Sequence, residues 1–256
     1  MRSECVFFLL KIDQEWVPYS ETGSLYIRPT FIGTDGQLGI TKSENALLYV
    51  ILSPVSAYFA SGPKSVSLYA DPRFVRTWEG GVGSCKMGSN YAPTILINKI
   101  ANDHGCQQAL WLYGPKELVT EAGTMNIFAV WINDDEEIEL VTPPLSEGII
   151  LPGVTRQAIL EVASEWDDIK VSEINFTMHD IRAAIVEERL LEMFGCGTAC
   201  VICPVHHILY CKEDFQEELA VPTMEQEDAV YARLHNAILD IQYGRRLKCD
   251  WTRIVE

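Results

Sequence analysis

The chain has 256 residues, 48% of them hydrophobic, enough to bury a sizeable core, and this excludes a disordered chain. Its formal net charge of -16 disfavours broad electrostatic binding to nucleic acid or anionic membranes, so small molecules are the expected partners. No apolar run approaches the roughly 18 residues needed to span a bilayer, and eight cysteines in a chain this long read as reduced thiols of a reducing compartment.

The apolar run Cys5-Val6-Phe7-Phe8-Leu9-Leu10 is shorter than a secretory signal and reads as a core strand or helix cut at its beginning. Residues 24–32 and 46–52 are rich in β-branched and aromatic side chains and are expected to be strands. A turn-rich stretch, Ala60-Ser61-Gly62-Pro63-Lys64-Ser65 with Asp71-Pro72 after it, places an interdomain connection over residues 60–73. Residues 92–104 have helical spacing, with Pro93 in the first turn and Gly105 at the C-cap, and 109–113 read as a following strand. A hairpin is expected from 125–132 and 138–142, and a helix over 155–166 after the helix-breaking Pro152-Gly153. Thr177 with Asp180, and Thr223 with Gln226, have capping-box spacing, so helices are expected to begin at Met178 and Met224, the last ending near Gly244. The whole reads as mixed α/β (α+β) with substantial antiparallel pairing.

Chemistry concentrates around Lys86. It lies in Gly80-Gly81-Val82-Gly83-Ser84-Cys85-Lys86-Met87-Gly88-Ser89-Asn90-Tyr91, with no charge nearer than Glu79. A lysine held partly desolvated in such a loop becomes a neutral amine able to attack an aldehyde. An aldehyde cofactor such as pyridoxal phosphate also needs an acid at its ring nitrogen, and Glu121, just ahead of an apolar strand, is the candidate. Pro152-Gly153-Val154-Thr155 and Gly195-Cys196-Gly197-Thr198-Ala199 can offer backbone amides to a phosphate, with Thr124 as a further hydroxyl. Cys200-Val201-Ile202-Cys203 lacks the two further ligands that zinc requires, so no metal is expected; the pair is either a redox dithiol or two structural thiols. His206 and His207 are read as core or partner contacts, because neighbours on a strand face opposite ways.

Taken in order, these stretches resemble the branched-chain aminotransferases, fold-type IV pyridoxal-phosphate enzymes. The resemblance rests on residues 81–91, on Leu110-Trp111-Leu112-Tyr113-Gly114 and on Thr120-Glu121-Ala122-Gly123-Thr124-Met125-Asn126. It continues through Gly148-Ile149-Ile150-Leu151-Pro152-Gly153-Val154-Thr155-Arg156, residues 194–205, and Asp240-Ile241-Gln242-Tyr243-Gly244. It implies a large cofactor-binding domain over 74–256, after a remnant of the small α/β domain over 1–59. By resemblance Lys86 is the Schiff-base lysine, Tyr91 the phenol at the cofactor ring and Glu121 the acid at the pyridine nitrogen. Thr124, Val154, Thr155 and Thr198 match phosphate-binding positions. Thr198 and Ala199 match the donors that hold the substrate carboxylate, and Tyr26 and Arg28 match small-domain residues that reach the partner subunit's site in a homodimer. Cys200 and Cys203 match the redox-sensitive pair of the animal enzymes.

The implied reaction is a ping-pong transfer of the amino group of Leu, Ile or Val to 2-oxoglutarate, in a cytoplasmic enzyme or, alternatively, a mitochondrial one. The alternatives are a truncated, non-catalytic paralogue and a fold-type IV lyase or D-amino-acid transaminase. Relative to that family most of the small domain is missing, including the arginine at the cofactor phosphate and several pocket aromatics. Ser89 and Cys196 stand where Gly and Ser are usual.

Overall fold

A computed structural model describes residues 3–20, 23–56, 65–246 and 250–255. The chain forms two compact units, Met1–Ala60 with Asp250–Glu256, and Ser61–Cys249. In the first, the N-terminal apolar run is helical, α1 (Ser3–Ile12), and β1 (Ser24–Gly33) pairs antiparallel with β2 (Ala46–Val55). Cross-strand partners share a face, so Leu25, Ile27, Pro29 and Phe31, opposite Pro54, Leu52, Val50 and Leu48, make one apolar face, with Tyr26, Arg28 and Thr30 on the other.

The second unit runs β3 (Val66–Ala70), α2 (Thr94–Asp103), β4 (Gln108–Tyr113), β5 (Leu118–Ala122), β6 (Met125–Ile132), β7 (Ile138–Thr142), α3 (Val154–Ala163), β8 (Lys170–Glu173), α4 (Met178–Val186), β9 (Leu190–Gly197), β10 (Val201–Lys212), β11 (Phe215–Ala220) and α5 (Val230–Gln242). The strands form one mixed sheet in the order β11-β10-β3-β4-β5-β6-β7-β8, and β9 pairs with both β10 and β6. That double pairing closes a circuit β10-β3-β4-β5-β6-β9. Closure leaves no open edge within the circuit and satisfies backbone groups that an edge would strand. Long strands make it possible: β6 and β10 change partners part-way, β6 from β5 to β7 and β10 from β9 to β11. Phe128 stacks on Phe194 at 5.3 Å, in a core that α3 and α5 cover with Ile159, Leu160, Leu234 and Ile238. A second core gathers Tyr69, Ile97, Ala101, Ala109, Trp111 and Leu209 beneath α2. Among the described residues no helix is long and apolar enough to cross a membrane.

The expected hairpin is β6 and β7, and the Thr177–Asp180 capping box opens α4. Three expectations are corrected. Of the connection placed over 60–73, residues 60–64 lie outside the described residues, and Val66–Ala70 is a buried strand between β10 and β4; its run of apolar residues follows the turn signals too closely to be seen as separate. The helix expected over 155–166 starts at Val154 and ends at Ala163. The last helix begins at Val230, not Met224, after a 3-10 turn at Pro222–Glu225. Thr223 spends its hydroxyl elsewhere: it accepts from Met193 N at 2.9 Å and donates to Met193 O at 3.2 Å, fully buried. Glu192 of β9 caps α5 from a distance, accepting from Val230 N at 2.6 Å and Tyr231 N at 2.8 Å. Local spacing cannot show a cap supplied by another strand.

Candidate active site

Lys86 rides on the long loop between β3 and α2. Its Nζ donates to Tyr91 Oη at 2.9 Å. The side chain is exposed, which corrects the expectation of an amine partly desolvated by its own loop. The loop itself is tightly fastened. Asn90 Nδ2 donates to Val82 O at 2.8 Å and to Cys85 O at 3.0 Å. A Cβ on Gly83 would stand 2.6 Å from Thr77 Oγ1 and 2.8 Å from Ile149 O, so only glycine fits between these segments.

Glu121 is 2% exposed and sits near the end of β5, just ahead of the β5–β6 hairpin turn, rather than at the start of the apolar strand. Its Oε1 accepts from Leu151 N at 2.6 Å, and its Oε2 lies 2.9 Å from Arg76 Nε. Burial pushes this carboxyl up to about 7, against the downward pull of Arg76, the Leu151 amide and Lys86. The hairpin turn is set by Gly123 at φ 57, whose carbonyl accepts from Trp111 Nε1 at 2.8 Å. Thr124, beside it, is exposed.

The same Leu151 leads into α3. Gly153 is the N-cap in extended conformation, with no side chain capping the helix, so the amides at its start are left for another acceptor. Val154 and Thr155 are its first two residues. Asn126, opposite Glu121 in the ladder, donates to Leu151 O at 2.8 Å, and a Cβ on Gly153 would collide with Asn126 Oδ1. Asn126 is also paired with Cys196 of β9, which brings the turn at Thr198 and Ala199 to the same end of the closed circuit. Both turn residues are exposed, and Val201 after them has φ 59, a strained conformation for a β-branched residue. Lys86, Tyr91, Glu121, Thr124, Val154, Thr155, Thr198 and Ala199 therefore all lie on loops and element ends of the second unit.

The remaining candidates are Tyr26, Arg28, Cys200 and Cys203. Tyr26 and Arg28 lie on β1 of the first unit, where Arg28 Nη2 donates to Tyr26 Oη at 2.8 Å. Cys200 and Cys203 are unoxidised and buried, 8% and 2% exposed, with burial pushing their thiols up to about 11 and about 12. Cys200 Sγ touches Met125 Sδ at 3.4 Å. Such thiols are little ionised at neutral pH, which favours the structural reading of the pair over the switch.

The sequence model of the family described as amino-transferase class IV matches residues 9–208. The chain belongs to the class IV aminotransferase family. Members of this family depend on pyridoxal phosphate. Over 250 residues the chain is 55% identical to the cytosolic branched-chain-amino-acid aminotransferase of Mus musculus, covering 97% of this chain and 63% of that protein. It is 53% identical to the cytosolic protein of Caenorhabditis elegans, of which it covers 60%, and 48% identical to the mitochondrial one of Mus musculus, of which it covers 62%. The chain thus spans about three-fifths of the length of these relatives. In fold it is similar to the branched-chain amino acid aminotransferase of Thermobaculum terrenum solved in its PLP form, at TM-score 0.67 and 19% identity, covering 95% of this chain and 70% of that one. The Escherichia coli enzyme matches at TM-score 0.66 and 24% identity, over 91% of this chain and 70% of that one.

Within this class IV chain, sequence reasoning passed over Arg76, Asn90 and Asn126. Arg76 carries one signal, a cation ahead of a glycine loop. Its pairing with an acid 45 residues away, from position 76 to 121, emerges only in three dimensions. The two asparagines look like ordinary loop and strand polar residues until their carbonyl partners are known.

Proposed function

We propose that this chain is a pyridoxal-phosphate-dependent branched-chain amino acid aminotransferase, moving the amino group of Leu, Ile or Val to 2-oxoglutarate. The observation that carries the reading is Glu121: a carboxylate, buried and held at both oxygens, close enough to Lys86 for their charges to interact. A buried acid with so specific a setting is costly unless it has a task. The names of the relatives support the substrate class.

The residues present fit the cofactor. Glu121 would hold the proton of the ring nitrogen by a charge-assisted hydrogen bond, since each of its oxygens keeps a lone pair beyond its protein partner. The uncapped start of α3 at Val154 and Thr155, with the hydroxyls of Thr124 and Thr198, would take the phosphate. Pyridoxal phosphate, when bound, supplies an electron sink for the charge left on the substrate Cα. Lys86 would be the base that takes the Cα proton and carries it across to the cofactor, and the Tyr91 hydroxyl orients its amine. Amides of the Thr198–Ala199 turn would hold the substrate carboxylate. Tyr26 and Arg28 would complete the site of a second subunit in a homodimer, and the cytosolic relatives support a cytoplasmic location.

The test is the visible absorbance of the purified protein with pyridoxal phosphate, before and after leucine. A band that survives desalting and shifts with leucine is the expected result; no retained band would sink the reading.

A further inference from the structure

Arg76 joins more of the site than any of the residues assigned above. Arg76 is buried, its side chain 6% exposed, and its guanidinium reaches three separate segments. Nε stands 2.9 Å from Glu121 Oε2. Nη1 donates to Ile149 O at 3.0 Å, in the stretch leading to α3, and both Nη atoms lie 3.4 Å from Gly83 O, in the loop that carries Lys86. A point charge could satisfy the acid alone. Only the planar fork of an arginine meets the acid and two carbonyls of different segments at once.

Removing Arg76 would leave Glu121 a buried acid with one amide partner, and burial then favours its neutral form. A neutral carboxyl cannot hold a cationic ring nitrogen by charge, whereas a carboxylate does. Carboxylate rotation is also restrained, because Leu151 N holds one oxygen and Arg76 Nε the other.

We infer that Arg76 is a positioning residue of the cofactor site, acting through Glu121: its guanidinium favours the ionised form of that carboxylate against burial and holds it in place for the ring nitrogen of a pyridine cofactor. The inference rests on the pyridoxal-phosphate reading above. It predicts an effect that depends on the ring nitrogen itself, which a packing role does not.

The experiment compares equilibrium binding of pyridoxal phosphate with that of the analogue carrying carbon in place of the ring nitrogen. Wild type, Arg76→Gln, Glu121→Gln and the double variant are measured, with circular dichroism to confirm folding. Wild type should prefer pyridoxal phosphate. Arg76→Gln should weaken its binding roughly 10- to 100-fold, the range of a lost charged hydrogen bond, while analogue binding stays within about twofold. Adding Arg76→Gln to Glu121→Gln should change binding of pyridoxal phosphate no further than about twofold. Equal losses for both ligands would make Arg76 a packing staple and overturn the inference while leaving the cofactor reading intact. A wild type that binds neither ligand overturns the reading and the inference together. If Arg76→Gln does not fold, Arg76→Lys, which keeps the charge without the fork, replaces it: a larger loss for pyridoxal phosphate than for the analogue is expected, and equal losses overturn the inference.

Discussion

The Leu151 amide donates to Glu121 Oε1 at 2.6 Å across 30 residues of sequence, tying the acid of β5 to the loop that opens α3. An acid held this way has exchanged water for a fixed partner. Its carboxyl is pushed up to about 7 from the ordinary 4.5, so the folded chain binds a proton more readily than the unfolded chain between those values. Stability of the cofactor-free protein should therefore fall as pH rises from about 4.5 to about 7 and level off above, by an amount on the order of 3 kcal/mol. Glu121→Gln should remove that slope in urea titrations run across the window, and an unchanged slope would show that another group sets it.

Lys86→Ala tests the amine. Borohydride reduction in the presence of pyridoxal phosphate should add the mass of the reduced cofactor at Lys86 in wild type and nothing at position 86 in the variant. Because the side chain is exposed, its loss should alter stability by no more than about 0.5 kcal/mol. Equal, stable labelling of both proteins would remove Lys86 from its role.

Gly153→Ala asks whether the start of α3 is held at its observed position. The added Cβ would collide with Asn126 Oδ1, whose amide group is already tied to Leu151 O. Overpacking of this kind costs about 1–3 kcal/mol, and retention of pyridoxal phosphate should weaken with it. A variant with wild-type stability and cofactor retention would mean the turn is not so confined.

Glu192→Ala examines the remote cap of α5. Two amides, of Val230 and Tyr231, would lose their acceptor inside the protein. The expected cost is roughly 1–3 kcal/mol in unfolding free energy from urea titration, with fraying of α5 visible by hydrogen exchange at its first turn. Unchanged exchange there would argue that other acceptors serve.

For Cys200 and Cys203 the expectation is slow chemistry. Iodoacetamide should modify the exposed Cys85 on the order of tenfold faster or more, as read by peptide mass mapping. Faster labelling of Cys200 than of Cys85 would restore the redox-switch reading.

What the sequence determined by itself was local or repeated in one order, though the local capping-box spacing at Thr223 misplaced the start of α5. The hairpin at 125–142 followed from β-branched runs around an acidic turn, α4 from its capping box, and the family resemblance from long motifs that name Lys86, Tyr91, Glu121 and Thr155 without a structure. What the tertiary structure decided was long-range. That β3 sits in the middle of a sheet depends on partners at 108–110 and 205–210, and the start of α5 depends on a carboxylate from β9. The environment of Glu121 is the clearest case. Its neighbours Arg76 and Leu151 come from opposite directions along the chain, and only the closed circuit of strands brings a guanidinium and an amide to the two oxygens of one buried acid. Residue types and spacing carry propensity and motif, because these act within a few residues; charge pairing and burial act through space, so they become defined only when the strands have closed.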